Sequence, residues 1–236
     1  MKYEIIRTET KYEGWTRFLV VSVRSPDGAL LEREIEDHGP AVAVLAYEPG
    51  RKAAILVRQF RAPAFFSLGQ EHTLEAIAGM IDDKDSIAAA QREALEEVGL
   101  HLRALEYVAT VWCSPGISTE RITLFLAAYG PADRVATGGG VATEQENIEV
   151  VEMQLGELAR LMDAGELVDM KTLVLVQALK LRQGKIEGRV STRGASSLGI
   201  ARSKSSARKC RRHVTSPIGC LRRACRRMGA TVLGVD

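Results

Sequence analysis

Apolar positions along the first 183 residues alternate or cluster in short runs, a pattern typical of β-strands interleaved with a few helices. These runs predict strands at 17–23, 29–36, 41–47, 53–58, 73–76, 104–111, 122–128 and 148–153. Amphipathic spacing predicts helices at 155–163 and 171–181. The Pro26-Asp27-Gly28 turn makes the first two strands an N-terminal antiparallel hairpin. Strands mixed with helices in this order predict an α/β fold, arranged as an α/β/α sandwich.

A further short helix lies within residues 79–100, and three glutamates share one of its faces. Glu93, Glu96 and Glu97 fall within roughly 100° of arc around the helix axis. An apolar stripe faces elsewhere, made of Ile87, Ala90, Ala94 and Val98. Acidic neighbours three and four residues apart repel one another, so this face predicts a divalent cation that offsets the repulsion. The alternative is a solvated acidic face.

Composition bounds the class of protein. With 236 residues, 46% hydrophobic and 26% charged, the chain can bury a proper core, and one catalytic domain is expected. No apolar run reaches about 18 residues, and the N-terminus lacks the apolar core of a signal peptide. These features predict a cytoplasmic protein without membrane contact.

The net charge of +2 hides a division between body and tail. Residues 188–236 hold twelve Lys and Arg with one acid, which leaves 20 basic and 29 acidic residues in the rest. The tail cysteines Cys210, Cys220 and Cys225 lack the spacing of a zinc site. Its Ser- and Arg-rich composition predicts a disordered segment over 185–236. Two interpretations stay open: nucleic-acid binding through clustered Arg, and a functionless extension, which the abrupt change of composition favours.

The acidic helix stands in a more specific context, since Arg-Glu-x-x-Glu-Glu-x-Gly runs from Arg92 to Gly99 behind an upstream glycine. This segment resembles the Nudix box, whose pattern is Gly-x5-Glu-x7-Arg-Glu-U-x-Glu-Glu-x-Gly-U with U aliphatic. Two features depart from the pattern. Asp85 stands where the family has its first Glu, and the spacing from Gly79 to Arg92 is one residue short. This shortened loop resembles that of the GDP-mannose-hydrolysing relatives of the ADP-ribose pyrophosphatases.

The resemblance implies a metal site on the box helix. Glu93, Glu97 and the backbone carbonyl of Ala78 are implied to bind Mg²⁺, with Mn²⁺ as a substitute. Such hard oxygen ligands suit Mg²⁺. Glu96 and Glu97 are implied to serve catalysis. Gly79 would let the chain turn close to the pyrophosphate.

A glycine-rich acidic loop over 138–150 resembles the loop that carries the catalytic base and a further metal ligand in ADP-ribose pyrophosphatases. A carboxylate beside a metal ion can activate water at neutral pH. By register Glu144 corresponds to the base and Glu146 to the ligand, and the reverse assignment stays open.

Flanking motifs resemble substrate contacts of the same branch. Arg61 ends the string Arg-Gln-Phe-Arg, and Glu120 follows Ser-Pro-Gly by four residues. Lys171 lies in Asp-Met-Lys-Thr, where the GDP-mannose enzymes have Asp-Gly-Lys-Thr. Without the resemblance, Trp15 would be a core residue and Arg33 a surface one. In all, the resemblance assigns substrate contact to six residues: Trp15, Arg33, Arg61, Met80, Glu120 and Lys171.

The resemblance covers residues 1–183 and implies the following organisation and activity. Residues 1–40 would form a dimerisation segment whose strands are exchanged in a homodimer, followed by a Nudix hydrolase domain over 41–184. The implied reaction is Mg²⁺-dependent hydrolysis of a nucleoside diphosphate sugar. GDP-mannose is favoured over ADP-ribose because of the shortened loop and Lys171. A non-catalytic module that binds nucleotide sugars or nucleic acid is the alternative, which the retained box glutamates disfavour.

Overall fold

Three antiparallel strands at the N-terminus form a sheet of their own. The computed structural model describes residues 2–82, 85–140 and 147–191. β1 (Glu4–Glu13), β2 (Arg17–Arg24) and β3 (Leu30–Asp37) lie in the order β1-β2-β3. The predicted hairpin of β2 and β3 is confirmed, and its turn uses Gly28 at a φ of 92°.

The sequence pattern does not predict β1. Almost all of its side chains are exposed, so no apolar alternation marks the strand. It pairs with β2 from Glu4 opposite Arg24 to Glu13 opposite Arg17. Backbone pairing, rather than burial of one face, therefore defines this strand.

The second sheet is mixed and forms the centre of the protein. Its seven strands are β4 (Pro40–Glu48), β5 (Ala53–Phe60), β6 (His72–Glu75), β7 (Ile77–Met80), β8 (Glu106–Trp112), β9 (Arg121–Ala128) and β10 (Glu149–Gln154). The main order is β10-β5-β4-β9-β8, in which β4 and β9 are parallel and the other neighbours antiparallel. Because β4 and β5 are buried on both faces, their sequences are nearly continuous apolar runs.

A reversal of the chain at Ala76 shapes the middle of this sheet. β4 and β5 pair with each other only near their connection, at 46–48 and 53–55. Farther along, β6 pairs with β5 and β7 pairs with β4, both antiparallel. Since β4 and β5 run in opposite directions, their antiparallel partners β7 and β6 also run in opposite directions to each other. The strand predicted at 73–76 is therefore the first arm of a V whose second arm, β7, was not predicted.

Helices cover both faces of the second sheet, which confirms the predicted α/β/α sandwich. On one face α2 (Ser86–Val98) packs through Ala90, Ala94 and Val98. On the other face α3 (Leu155–Asp163) and α4 (Met170–Ser191) contribute Leu158 and Leu175. No helix in the described part of the chain is long and apolar enough to cross a membrane.

Two details of the helices differ from the sequence prediction. Ile87 was expected in the apolar stripe of α2, but it is 50% exposed, because it lies in the first turn and burial begins only at Ala89. α1 (Ala62–Leu68) was not predicted. Its seven residues, Ala-Pro-Ala-Phe-Phe-Ser-Leu, are nearly all apolar, so no amphipathic pattern marks it; none of them is buried, and it ends at Gly69 in the left-handed conformation.

Candidate active site

A cleft of about 1060 Å³ is lined by both arms of the V, by α2 and by the start of α4. Most of the residues predicted from the sequence line it: Trp15, Arg61, Ala78, Met80, Glu93, Glu97, Glu120 and Lys171. Arg33 and Glu96 are described but do not line it. Glu144 and Glu146 lie outside the described residues.

The wall formed by α2 and β7 carries two carboxylates. Glu93 and Glu97, about one helical turn apart, both face the backbone of β7. The Ala78 amide donates a hydrogen bond of 3.2 Å to Glu97 Oε2, and Glu97 is only 2% exposed. The Glu93 carboxylate occupies the space beside Gly79, where a Cβ atom would lie 2.0 Å from its Cδ. The missing side chain at Gly79 therefore makes room for Glu93.

Arg92 neutralises part of this acidic wall. Its guanidinium lies 2.9 Å from Glu93 Oε1 and donates to Glu96 Oε2 at 3.1 Å and Asp82 Oδ2 at 3.2 Å. It also donates to the Met80 carbonyl at 3.2 Å. Burial opposes the positive charge, but the three carboxylates raise the pKa of Arg92. Glu96 thus pairs with Arg92 beside the cleft, while Glu93 and Glu97 remain in its wall.

Both ends of α2 are fixed by residues of the box. Asp85 Oδ1 accepts hydrogen bonds from the Ile87 and Ala88 amides at 2.9 and 3.1 Å. The residue that departs from the family pattern is therefore the N-cap of the helix. Gly99 ends the helix at a φ of 70°, and a Cβ there would lie 2.0 Å from the Ala136 carbonyl oxygen. Only glycine fits this conformation and this contact without strain.

The glycine-rich segment that follows packs against the C-terminal end of α2. The Gly139 amide donates to the Glu97 carbonyl at 2.8 Å, and the Gly140 amide donates to the Glu96 carbonyl at 3.1 Å. These bonds satisfy carbonyl groups that a helix end leaves without an intrahelical partner. They also bring the chain beside the acidic helix immediately before residues 141–146, which lie outside the described residues.

The donor set of the acidic wall suits a hard divalent cation. Mg²⁺ is bound through one or two carboxylates together with other oxygen atoms. Glu93 and Glu97 supply the carboxylates, and the Ala78 carbonyl lies on their side of β7, since the N–H and C=O of one strand residue project the same way. Within the ranges that the structure describes, no three His, Cys, Asp or Glu side chains are arranged so that they could hold a metal ion together.

The opposite arm of the V holds a buried cluster of opposite charges around Glu75, which is 2% exposed. Arg61 donates from Nε and from one terminal nitrogen to the two Glu75 oxygens, both at 2.8 Å. Lys171 Nζ and the Thr73 hydroxyl donate to the same carboxylate. Burial would raise the pKa of Glu75, but Arg61 and Lys171 lower it from 4.5 to about 2. Hydrogen bonding to Glu75 likewise raises the pKa of Arg61.

The first turn of α4 fixes Lys171 through neighbouring residues. The Thr172 amide and hydroxyl both donate to Asp169 Oδ2, the amide at 3.0 Å. The Thr172 hydroxyl in turn accepts from the Ala76 amide at 2.6 Å. Lys171 Nζ donates to Asp169 Oδ1 at 2.9 Å. The Asp-Met-Lys-Thr sequence thus docks α4 onto the reversal of the V and places Lys171 beside Glu75.

Glu120 reaches the cleft from the connection between β8 and β9. Its backbone amide donates to Ser118 Oγ at 3.1 Å. Burial and the Glu120 carboxylate together raise the pKa of the neighbouring Cys113 thiol to about 12. Cys113 lines the cleft but is therefore protonated, and a poor nucleophile, at neutral pH.

Trp15 and Arg33, the two predicted N-terminal contacts, lie in different surroundings. Trp15 is 83% exposed, so its alternative assignment as a core residue is wrong. It lines the cleft of its own chain and meets His38 edge-to-face, with ring centroids 4.4 Å apart. Arg33 lies on β3, where it donates to the Glu32 carbonyl at 2.7 Å. The chain therefore brings Trp15, but not Arg33, to its own cleft.

Sequence reasoning assigned no role to several polar residues of the cleft wall. Glu75 and Gln59 are both more than nine-tenths buried, and Thr73 lies opposite Gln59 across the pairing of β5 and β6. A signal was present, because Thr73 and Glu75 alternate with apolar neighbours on a strand of a buried sheet. Buried polar side chains of this kind require partners. The two cations that pair with Glu75, Arg61 and Lys171, come from other elements, so the pattern alone could not name them.

Comparison with known proteins identifies the class. The model of the NUDIX domain family matches residues 37–173, which is more than half of the chain. The matched range contains the acidic helix, both arms of the V and the docking residues of α4. The chain therefore belongs to the Nudix family.

Among individual proteins, the chain is similar to several bacterial GDP-mannose pyrophosphatases. The GDP-mannose pyrophosphatase of Cronobacter sakazakii is 36% identical over 187 residues, covering 77% of this chain and 97% of that protein. The GDP-mannose pyrophosphatase of Klebsiella pneumoniae is 30% identical over 185 residues, or 76% and 92% of the two chains. That of Pectobacterium atrosepticum is 38% identical over 152 residues, or 64% and 77%.

A solved structure supports the fold assignment. The crystal structure of an ADP compounds hydrolase superposes with a TM-score of 0.62 at 18% identity, covering 80% of this chain and 96% of that chain. At this level of identity the likeness concerns the fold. It agrees with the α/β/α Nudix architecture described above.

Proposed function

We propose that this protein is a metal-dependent Nudix pyrophosphatase that hydrolyses a nucleoside diphosphate sugar, with GDP-mannose as its substrate. The observation that carries the proposal is a single cleft in which the carboxylates of α2 lie beside β7, while Arg61 and Lys171 lie beside β6 and pair with Glu75. A pyrophosphate needs both, because metal ions and protein cations must offset the charge that develops as its P–O bond breaks. The similarity to GDP-mannose pyrophosphatases over most of the chain supports this substrate.

The acidic wall is proposed to hold the metal. Glu93, Glu97 and the Ala78 carbonyl would bind Mg²⁺, or Mn²⁺ in its place, and the ion would supply charge neutralisation and a more acidic bound water. Arg92 limits the repulsion between the glutamates in the absence of metal. Glu97, nearly inaccessible to solvent, keeps its carboxylate in a fixed direction through the Ala78 amide.

Water attack is proposed to use carboxylates near the C-terminal end of α2. Glu144 is assigned as the general base and Glu146 as a further metal ligand, with Glu96 and Glu97 assisting catalysis. The amide bonds of Gly139 and Gly140 to the end of α2 support this assignment, because they hold the start of the acidic loop next to the box helix. The water oxygen would bond to one phosphorus atom as the bridging P–O bond breaks. The products would be GMP and mannose 1-phosphate.

Substrate recognition is assigned to side chains that surround the metal wall. Arg61 and Lys171 would bind the anionic part of the substrate. Trp15 offers an exposed indole on which a nucleobase can stack. Met80 and Glu120 line the remaining wall and would contact the sugar or nucleoside.

A homodimer is proposed as the active form, with residues 1–40 as the dimerisation segment, 41–184 as the hydrolase domain and 185–236 as a tail that catalysis does not need. The exposed large apolar residues of β1 support the dimer, because a second copy could bury them: Ile5, Ile6 and Tyr12. Arg33, remote from its own cleft, would then contact substrate in the partner.

The test is hydrolysis of a panel of nucleotide sugars with Mg²⁺, measured as phosphate released by a coupling phosphatase, on the full chain and on a chain truncated after residue 184. GDP-mannose is expected to give the highest kcat/KM with both proteins, and chelation should abolish it. Higher kcat/KM on ADP-ribose would replace the substrate assignment. Binding without turnover of any nucleotide sugar would instead establish a binding module.

A further inference from the structure

Glu75 occupies an unusual position in the cleft, because this one buried carboxylate contacts both Arg61 and Lys171. Arg61 donates two side-on hydrogen bonds of 2.8 Å to the two Glu75 oxygens, and Lys171 donates to one of the same oxygens. Arg61 directly follows β5, Glu75 ends β6, and Lys171 lies in the first turn of α4. The Glu75 carboxylate therefore connects three parts of the chain that meet at the cleft.

The side-on grip has a chemical consequence for Arg61. A guanidinium group has five N–H donors in a fixed plane, and the bonds to Glu75 use one from Nε and one from a terminal nitrogen. The edge formed by the two terminal nitrogens lies away from this contact. The Arg61 side chain is 42% exposed while the Glu75 side chain is 3% exposed, so the group reaches from a buried anchor toward solvent in the cleft. Such an edge matches two oxygens of a phosphate.

Lys171 is more deeply buried than Arg61. Its side chain is 12% exposed and lies between Glu75 and Asp169, and these carboxylates outweigh burial and raise the pKa of Lys171. The cluster therefore contains two cations and two carboxylates. Without Glu75, the charges would no longer balance, and Arg61 would lose the contact that sets its plane.

We propose that Glu75 is a positioning residue for substrate recognition: it orients the Arg61 guanidinium so that its outer edge meets a phosphate of the nucleoside diphosphate, and it holds Lys171 beside that edge. This proposal rests on the proposed function, because it names how the same cleft recognises the anionic part of its substrate. Glu75 itself does not touch the substrate. The competing explanation is that Glu75 only balances buried charge.

A double-mutant cycle separates these explanations. Glu75→Gln keeps the size of the side chain and removes its charge, whereas Arg61→Lys keeps a cation and removes the planar fork. Each variant should raise the KM for GDP-mannose by roughly 10- to 100-fold, the range expected when a charge-assisted hydrogen-bonded contact is lost. The kcat should change much less, and the Mg²⁺ concentration for half activation should stay constant, since the acidic wall is untouched.

The KM of the double variant, Glu75→Gln with Arg61→Lys, decides between the two explanations. If Glu75 acts through Arg61, the KM of the double variant should rise by clearly less than the product of the two single rises, and the remainder reflects the contact of Glu75 with Lys171. Multiplied effects in the double variant would overturn the proposal in favour of charge balance. An Arg61→Lys variant with the wild-type KM would also overturn it, and this result does not depend on whether Glu75→Gln folds.

A matched control is Glu48→Gln. Glu48 is also a buried glutamate, 7% exposed, and lies 3.4 Å from Arg51 at the far end of β4. It does not line the cleft. This variant should lose stability without any change in the KM.

Calorimetric titration with GDP tests the positioning role of Glu75 independently of the proposed hydrolysis. GDP carries the diphosphate but needs no turnover, so Glu75→Gln and Arg61→Lys should each weaken its binding by a factor similar to the rise in KM. If the wild-type protein binds GDP but hydrolyses no nucleotide sugar, the proposed function fails while the positioning role of Glu75 stands. If GDP binds equally well to the wild type and to both variants, the positioning role fails.

Discussion

The carboxylate of Glu93 lies where a side chain on Gly79 would be, with Cδ only 2.0 Å from the position of a Cβ atom. Gly79 does not need glycine for its backbone conformation, because its φ is not positive. What a side chain here would disturb is this close approach, because it would displace the Glu93 carboxylate. One position of β7 thus controls where a proposed metal ligand on α2 can lie.

Gly79→Ala should therefore reduce activity without unfolding the protein. The Glu93 carboxylate must move, and a displacement of about 1 Å in a catalytic group can cost about 100-fold in rate. Stability should fall by only about 1 kcal/mol, since the tip of a glutamate side chain can rotate to another rotamer. Steady-state kinetics with a Mg²⁺ titration and a thermal melt measure the two effects.

Gly156→Ala is the matched control for this glycine. Gly156 lies in α3, away from the cleft, and an added Cβ would meet nothing within 4 Å. Alanine should leave activity unchanged and stabilise the helix by up to about 1 kcal/mol. Equal activity of Gly79→Ala and Gly156→Ala would show that the position of Glu93 is unimportant.

Glu97→Gln should lower kcat by several orders of magnitude while the protein stays folded. The amide keeps the shape of the side chain, but it removes the charge that would hold the metal. The residue is buried against the Ala78 amide, so it cannot be replaced by a neighbouring acid without rearrangement. Glu157→Gln, an exposed glutamate paired with Arg160 on α3, should retain full activity. Near-normal turnover of Glu97→Gln would exclude Glu97 as a metal ligand.

Asp85→Ala should destabilise the protein by about 1 kcal/mol, because two amides at the start of α2 lose their acceptor. Urea unfolding measures the loss. Asp85→Asn should retain most of the stability, since asparagine is an equally good N-cap. If both variants are as stable as the wild type, the cap does not contribute, and the departure from the family pattern has another cause.

Glu75 should make stability depend on pH in the acid range. Its pKa falls from 4.5 to about 2 on folding, so the folded state binds its proton less readily than the unfolded state. The resulting contribution, about 3 kcal/mol by this shift, is fully present above pH 4.5 and is lost as the pH falls toward 2. Urea unfolding between pH 6 and pH 3 should show this loss in the wild type and a flatter profile in Glu75→Gln. Parallel profiles would contradict the assignment.

Mixed dimers test whether Arg33 acts in the partner subunit. Arg33→Ala and Glu97→Gln should each be weakly active alone, and a mixture of the two should recover activity, since one intact composite site can form. Recovery should depend on subunit exchange, which can be followed by sedimentation. An active monomer, or mixtures without recovery, would instead place the whole site in one chain. The position of Trp15 at the cleft of its own chain would agree with that result.

Local features of the site could be predicted from the sequence because they depend on near neighbours. The spacing of Glu93 and Glu97 puts both on one face of a helix whatever surrounds it, and Asp85 and Gly99 limit that helix through bonds within a few residues. The β2–β3 hairpin likewise follows from its turn. Strands without a buried face, such as β1, and helices without buried residues, such as α1, give no comparable pattern.

Only the tertiary structure decided which distant residues meet. Arg61, Glu75 and Lys171 lie on three separate elements, and nothing in their spacing states that one carboxylate joins both cations. Their meeting follows from the pairing of β5 with β6 and from the bond that docks Thr172 onto the reversal of the chain. The sequence by itself determined an acidic helix of the Nudix type. The opposite wall, in which Arg61 and Lys171 pair with Glu75, exists because long-range strand pairing and helix docking bury charges that must then find partners.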